Sequence, residues 1–313
     1  LKEIPMTRVA LLSRSANLSY FQPLLQGLAP DLDVAVWPDP RSLHADVAVC
    51  WNPPVGVYDD MPNLKLIHSI AAGVDNLLDG QRTRGLPVCR VVDPQLAQGM
   101  LQYVLWCVLT FHRKLDLALS NQRAARWSRP PQMPASQCRI GLMGLGELGG
   151  AIAAVLPGMG YPVNGWSRTP RDIAGVRVYA GEATFDEFLA NTDVLVCLVP
   201  LTDATRGILS RRTFDSLPQG AAVVNCGRGE HLVAADLIDA LQRGQLRGAV
   251  LDVFAQEPLD PADPLWSTPG VIVTPHMATM PSPGTVAEQV VDNIRRLRQG
   301  ESLARTVDLS RGY

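Results

Sequence analysis

Three residues stand out by type and surroundings: Arg228 in Asn225-Cys-Gly-Arg228-Gly229, Glu257 in Asp252-Val-Phe-Ala-Gln-Glu257-Pro258, and His276 in Thr274-Pro-His276-Met-Ala278. Each alone reads equally well as a surface arginine, a turn carboxylate before proline, or a histidine satisfied in a loop. Together and in this order they supply a planar cation, an anion and a proton donor. An arginine fork can hold a carboxylate and a neighbouring carbonyl oxygen. A histidine changes charge near neutral pH and can protonate an oxygen on which negative charge develops. A glutamate bonded to the other ring nitrogen would orient that histidine and raise its pKa, keeping it protonated. Reduction of a carbonyl next to a carboxylate needs these three functions.

Such a reduction also needs a bound hydride donor, and a second motif points to one. Gly144-Leu-Gly146-Glu147-Leu148-Gly149 matches G-x-G-x-x-G, a weak signal alone because glycine-rich turns are common. Here it follows an apolar strand and opens a helix expected over Glu147 to Met159, the arrangement that gives the motif meaning. Gly144 would permit the tight turn, Gly146 the close approach of a pyrophosphate, and Gly149 the packing of helix on strand, with the helix N-terminus facing the anion. About 20 residues on, a site for NAD carries an acid for the ribose 2′-hydroxyl. This chain has Trp166-Ser167-Arg168-Thr169 instead. Donors and positive charge at Ser167, Arg168 and Thr169 suit a 2′-phosphate, so NADP(H) is expected to be preferred and NAD(H) to bind more weakly.

The elements that must position these residues follow an alternating pattern. Apolar runs at Val9–Leu12, Val34–Trp37, Asp46–Cys50 and Leu64–Ile67 predict strands, with helical stretches between them. A longer helix is expected from Gln95 to about Asn121, bridging two domains, followed by a loop over Arg126–Gln137. Further strands are predicted at Cys138–Met143, Val163–Trp166, Val194–Val199, Ala221–Asn225, Gly248–Asp252 and Val271–Thr274, with helices over Val233–Arg243 and Pro283–Gly300. Continuous apolar strands alternating with helices indicate an α/β fold with parallel sheets covered on both faces. The three chemical motifs then stand at the C-terminal ends of later strands, where ligands bind in open α/β sheets.

Composition narrows the function classes. The chain has 313 residues, room for about two domains of ~150 residues. A net charge of −2 gives no footprint for nucleic acid or an anionic membrane surface. No apolar run approaches the ~18–20 residues of a membrane span, and Leu1 to Arg8 lacks a secretory h-region. The six cysteines are scattered without a C-x-x-C pair. They read as reduced core residues, fitting a cytoplasmic protein, and no clustered ligand set for a metal is apparent.

With these residues on the page, the chain resembles the D-isomer-specific 2-hydroxyacid dehydrogenase family over essentially its whole length. The resemblance rests on the Gly144–Gly149 loop, Arg228-Gly229, Asp252…Glu257-Pro258 and Pro275-His276. It is strongest to that family's glyoxylate/hydroxypyruvate reductases of the A type, through Trp166-Ser-Arg-Thr169, Trp51-Asn-Pro-Pro54, Pro264-Leu-Trp266 and Ser310-Arg-Gly-Tyr313. The resemblance implies two doubly wound, Rossmann-like domains with a cleft between them: a discontinuous substrate domain over 1–110 and 283–313, and a dinucleotide domain over 111–282. It implies that Arg228, Glu257 and His276 are the catalytic trio of an NADPH-dependent reduction of a small 2-keto acid to the 2-hydroxy acid. Cofactor contacts are implied at Gly144, Gly146, Glu147, Leu148, Gly149, Ser167, Arg168, Thr169, Pro200, Cys226 and Asp252, the last resembling the residue that meets the nicotinamide carboxamide. Ala72-Gly73-Val74, followed by Asp75, resembles the loop whose N–H groups hold the substrate carboxylate. Trp51 and Met100, with Arg228 and His276, are implied to line the substrate pocket. A homodimer is the family expectation.

One run departs from the family. Many relatives carry Asn-Ala-x-x-Val-Ala-Glu entering the bridging helix, where this chain reads Gln95-Leu-Ala-Gln-Gly-Met100-Leu-Gln-Tyr103 and lacks the carboxylate. That bears on interdomain contacts and on the pocket near Met100. Two other readings stand beside the leading one: a reductase of bulkier 2-keto acids, for which Trp51 would have to leave room, and a dinucleotide-sensing binding protein on the same fold. Formate dehydrogenase relatives are disfavoured, because they carry glutamine where Glu257 stands.

Overall fold

The computed structural model describes residues 6–78 and 80–309; Ser310-Arg-Gly-Tyr313 lies outside the described residues. The chain divides into two units, one reaching Gln95 and resuming at Met280, the other spanning Leu96–Thr279. The first break falls earlier than the expected 110/111 boundary, so most of the long helix belongs to the second unit.

The first unit runs β1 (Arg8–Leu12), α1 (Phe21–Leu28), β2 (Asp33–Val36), β3 (Val47–Cys50), β4 (Leu66–Ser69), α2 (Asp75–Leu78) and β5 (Val88–Cys89). Its strands pair in parallel in the order β2-β1-β3-β4-β5. All four residues of β3 and of β4 are buried, as a sheet covered on both faces requires. Two-residue β5 is too short to show periodicity, and Thr306 bridges its Cys89 in antiparallel sense.

The second unit opens with α3 (Pro94–His112) and α4 (Leu115–Arg123), where the sequence predicts one helix. Lys114 turns left-handed at φ 55° and breaks it. The cause is tertiary: the Arg247 guanidinium donates to the Phe111 carbonyl at 2.8 Å and to both carboxylate oxygens of Asp116 at 2.8 Å, pinning the end of one helix to the start of the next. The following loop is held by His112, whose Nε2 lies 2.8 Å from the Met133 carbonyl.

Then come β6 (Ile140–Met143), α5 (Glu147–Val155), β7 (Val163–Ser167), β8 (Val176–Ala180), α6 (Phe185–Ala190), β9 (Val194–Cys197), α7 (Arg211–Ser216), β10 (Ala221–Asn225), α8 (Ala234–Gln242), β11 (Leu246–Leu251) and β12 (Val271–Val273). The all-parallel order is β12-β11-β10-β9-β6-β7-β8. It is doubly wound, with the order reversing between β6 and β9. Helix α5 is shorter than expected because the chain tightens into a 3₁₀ turn over Leu156–Met159, with Pro157 at its start and Gly160 at φ 86° closing it. Strand β8 is an edge strand with one buried residue, which is why its apolar pattern is faint. Among the described residues, one apolar cluster of this unit includes Val104, Cys107, Ile140 and Val224, and another Phe188, Leu195, Phe214 and Val223.

The last helix, α9 (Pro283–Gln299), belongs to the first unit and packs against α1. Gln289 on α9 receives a bond from the Val92 N–H at 3.1 Å and gives one to the Val92 carbonyl at 2.7 Å. Asp93 accepts from the Ser282 N–H at 3.3 Å. The two chain crossings are thereby tied together within the first unit.

Candidate active site

The glycine loop sits at the switch point of the second unit. Gly144, at φ 107°, occupies a conformation that side-chain-bearing residues rarely adopt, and a Cβ there would lie 2.8 Å from the Leu198 carbonyl after β9. Its N–H donates to the Trp166 carbonyl at 2.9 Å, binding the loop to the end of β7. A Cβ on Gly149 would collide with the Gly144 carbonyl, so glycine there lets α5 start close under the loop. Gly146, the residue before α5, has nothing within 4 Å of where its Cβ would stand. The loop therefore has a closed side toward the sheet and an open side at the helix N-terminus, as a pyrophosphate requires. Gly146 and Glu147 are exposed and Leu148 is half-buried.

At the end of β7, Trp166 is fixed by its indole N–H donating to the Gly181 carbonyl at 3.0 Å and by Phe185 with ring centres 4.8 Å apart. Ser167 gives its hydroxyl proton to the Thr169 carbonyl at 2.7 Å, shaping the turn that carries exposed Arg168 and Thr169. No carboxylate occupies residues 166–169. The residues present fit a phosphorylated ribose.

Arg228 follows β10 in a turn built by buried polar groups. Asn225 donates through Nδ2 to the Arg228 carbonyl at 2.9 Å and accepts from the Gly227 N–H at 3.2 Å. Fully buried His231 accepts from the Arg228 N–H at 2.9 Å through Nδ1, so its Nε2 carries the proton, 3.4 Å from the Pro200 carbonyl. His231 links the Arg228 turn to the segment after β9. Sequence reasoning missed it; its signal was a histidine three residues after the arginine. A Cβ on Gly229 would collide with the backbone of Phe254 and Ala255, so this turn packs directly on the loop that bears Glu257. Burial keeps the nearby Cys226 thiol protonated, well above its usual range.

Glu257 and His276 meet side chain to side chain. Nδ1 of His276 lies 2.7 Å from Oε2 of Glu257, while Oε1 accepts from the Phe254 N–H at 3.0 Å. Burial raises the Glu257 carboxyl, but the bonds from His276 and Phe254 and the charges of His276 and Arg228 outweigh it and hold the group below its ordinary value of 4.5. Each of the two side chains is about one-third exposed, within reach of a ligand.

Asp252, at the end of β11 and 1% exposed, has both carboxylate oxygens occupied by the His276 segment. Oδ1 accepts from Thr274 Oγ1 at 2.6 Å and the Met277 N–H at 2.9 Å, and Oδ2 from the Ala278 N–H at 2.9 Å. Its spacing to these partners gave the sequence no sign of this clamp.

In the first unit, Ser69 accepts from the Ala71 N–H at 3.0 Å and donates to the Gly73 carbonyl at 2.9 Å, folding the loop after β4. The N–H groups of Ala72, Gly73 and Val74 donate to no acceptor among the described residues. Trp51 follows β3, its N–H bonded to the Leu12 carbonyl at 3.1 Å. Met100 is buried within the second unit's core on α3.

A doubly wound parallel sheet with this loop at its switch point is that of a dinucleotide-dependent oxidoreductase. Residues 105–278 match the model of the D-isomer specific 2-hydroxyacid dehydrogenase, NAD binding domain. The chain is 36% identical to glyoxylate/hydroxypyruvate reductase A of Yersinia enterocolitica over 92% of its own length and 94% of the relative's. Its fold superposes on a D-isomer specific 2-hydroxyacid dehydrogenase family protein from Klebsiella pneumoniae with a TM-score of 0.92 and 43% identity, covering 96% of this chain and 97% of the other. A D-isomer specific 2-hydroxyacid dehydrogenase from Xanthobacter autotrophicus, solved with NADPH and MES, gives a TM-score of 0.89 and 38% identity over 98% and 100% of the two chains. The chain belongs to the D-isomer specific 2-hydroxyacid dehydrogenase family.

Proposed function

We propose that this protein reduces a small 2-keto acid, of the size of glyoxylate or hydroxypyruvate, to its 2-hydroxy acid with NADPH. The observation that carries the reading is the 2.7 Å pair between His276 Nδ1 and Glu257 Oε2, beside the Arg228 turn and on the strand ends that follow the glycine loop. The identity with a glyoxylate/hydroxypyruvate reductase over nearly the whole chain supports the substrate class.

The hydride would come from NADPH when it is bound. The Gly144–Gly149 loop would take its pyrophosphate and Ser167, Arg168 and Thr169 its 2′-phosphate, with Pro200, Cys226 and Asp252 along the remaining contact. Arg228 binds the substrate carboxylate and carbonyl oxygen. One of its guanidinium nitrogens donates to the Gly227 carbonyl at 2.8 Å, which sets the plane of the fork. Because Nδ1 of His276 faces Glu257, Nε2 delivers the proton to the carbonyl oxygen as charge develops there. Within the first unit, the N–H groups of Ala72, Gly73 and Val74, which donate to no acceptor among the described residues, are suited to a carboxylate. The 2-hydroxy acid, identified by chromatography after incubation with NADPH and glyoxylate or hydroxypyruvate, tests the reaction, and its absence would refute the reading.

We further propose a homodimer. Trp106, Leu115, Leu119 and Trp127 expose apolar surface on or just after α3 and α4, with Trp127 92% exposed. Light scattering should return twice the chain mass of 33.9 kDa. All six cysteines are free and buried, in keeping with a reducing, cytoplasmic location. No helix among the described residues is long and apolar enough to cross a membrane.

A further inference from the structure

We propose that Tyr103 is a positioning residue for the reaction, holding the segment that carries His276 through Thr274 and Asp252. This rests on the reading of His276 as the proton donor and adds a residue to it.

Leu96, Gly99 and Tyr103 are spaced by three and four and therefore share one face of α3. The 274–279 segment meets that face at both ends. At one end, Thr279 Oγ1 donates to the Leu96 carbonyl at 2.9 Å, and a Cβ on Gly99 would stand 2.8 Å from the same oxygen. At the other end, the Tyr103 hydroxyl lies 2.5 Å from Thr274 Oγ1. Thr274 has a single hydroxyl proton, which it gives to Asp252 Oδ1 at 2.6 Å, so Tyr103 is the donor in its own bond to Thr274. Burial pushes the Tyr103 phenol well above its usual range, so it remains a donor at any working pH.

Asp252 in turn brackets His276 on both sides. Its carbonyl accepts from the His276 N–H at 2.8 Å, and its carboxylate takes the N–H groups of Met277 and Ala278. His276 itself sits at φ 51°, left-handed backbone that a non-glycine residue holds only when its surroundings impose it. The chain Tyr103 to Thr274 to Asp252 is one such imposition, and each donor polarises the next. The face lies in the run Gln95–Tyr103, where this sequence departs from the pattern of many relatives.

The test is Tyr103→Phe, which keeps the ring and removes the donor. We expect kcat with NADPH and glyoxylate to fall about 2–10-fold, the range for one hydrogen bond, with KM for glyoxylate and the fluorescence Kd for NADPH unchanged. Thr274→Val should lower kcat in the same way, and Thr274→Ser should keep the wild-type value. Adding Y103F to T274V should cost nothing more, because the two act through one chain. Wild-type kcat in Y103F, a loss that multiplies with T274V, or a parallel loss of NADPH affinity would overturn the proposal. Should Y103F fail to fold, the contrast between T274V and T274S decides. Full kcat in His276→Ala would sink the underlying reading; loss in H276A with wild-type kcat in Y103F would sink this inference alone.

Discussion

Oε2 of Glu257 and Nδ1 of His276 stand 2.7 Å apart, although they are 19 positions apart in the chain. The carboxylate is held in place by its second oxygen, bonded to the Phe254 N–H, and the ring by the Asp252 clamp on its backbone. Each partner is thus anchored independently, and the pair is an arranged one.

Replacing His276 by Ala should lower kcat for reduction by ~10²–10⁴, the usual range for a lost general acid. NADPH affinity, measured by fluorescence titration, should stay near wild type. A variant with full kcat at neutral pH would refute the role.

Glu257→Gln tests the electrostatic half of the pair. Glutamine keeps an acceptor for the ring and removes the negative charge 2.7 Å from it, so kcat for reduction should fall about tenfold or more while NADPH affinity stays near wild type. Glu257 itself is depressed, so its ionised form is fully present above the ordinary carboxylate value and is lost only as pH falls through the lower folded value. The wild-type pair should therefore persist through weakly acidic solution. Full kcat in E257Q would contradict this account.

Arg168→Glu should raise KM for NADPH by an order of magnitude or more, since a charge-assisted contact to phosphate becomes a repulsion. KM for NADH should change little or fall. Equal losses with both cofactors would show that the Ser167–Thr169 turn does not read the 2′-phosphate.

Gly229→Ala tests the packing beneath Arg228. The added methyl meets the backbone of Phe254 and Ala255, which cannot yield as a flexible side chain would. A loss of about 1–3 kcal/mol in urea unfolding is expected, together with a fall in kcat/KM as the Arg228 turn shifts from the Glu257 loop. Unchanged stability and activity would show that the close approach is dispensable.

The three motifs at strand ends and the glycine loop were legible because they are carried by residue type and local order. Arg228, Glu257 and His276 each follow an apolar strand, and in a parallel sheet such positions converge on one edge. What orients them was not legible. His231 under Arg228, Asp252 under His276 and Tyr103 behind Thr274 act through contacts set by tertiary folding, and no local periodicity marks them. The helix break at Lys114 was hidden for the same reason, since it is fixed by Arg247 more than a hundred residues downstream. Strands β5 and β8 escaped because one is two residues long and the other is a half-exposed edge.

The central claim is most directly tested by the rate of NADPH oxidation, followed by absorbance, with glyoxylate, hydroxypyruvate, pyruvate and phenylpyruvate, and with NADH in parallel. The account predicts rapid NADPH oxidation with glyoxylate and hydroxypyruvate, slower turnover of phenylpyruvate, and weaker use of NADH. Absence of turnover with every keto acid, in a protein that still binds NADPH tightly, would contradict it and leave a dinucleotide-binding protein in place of a reductase.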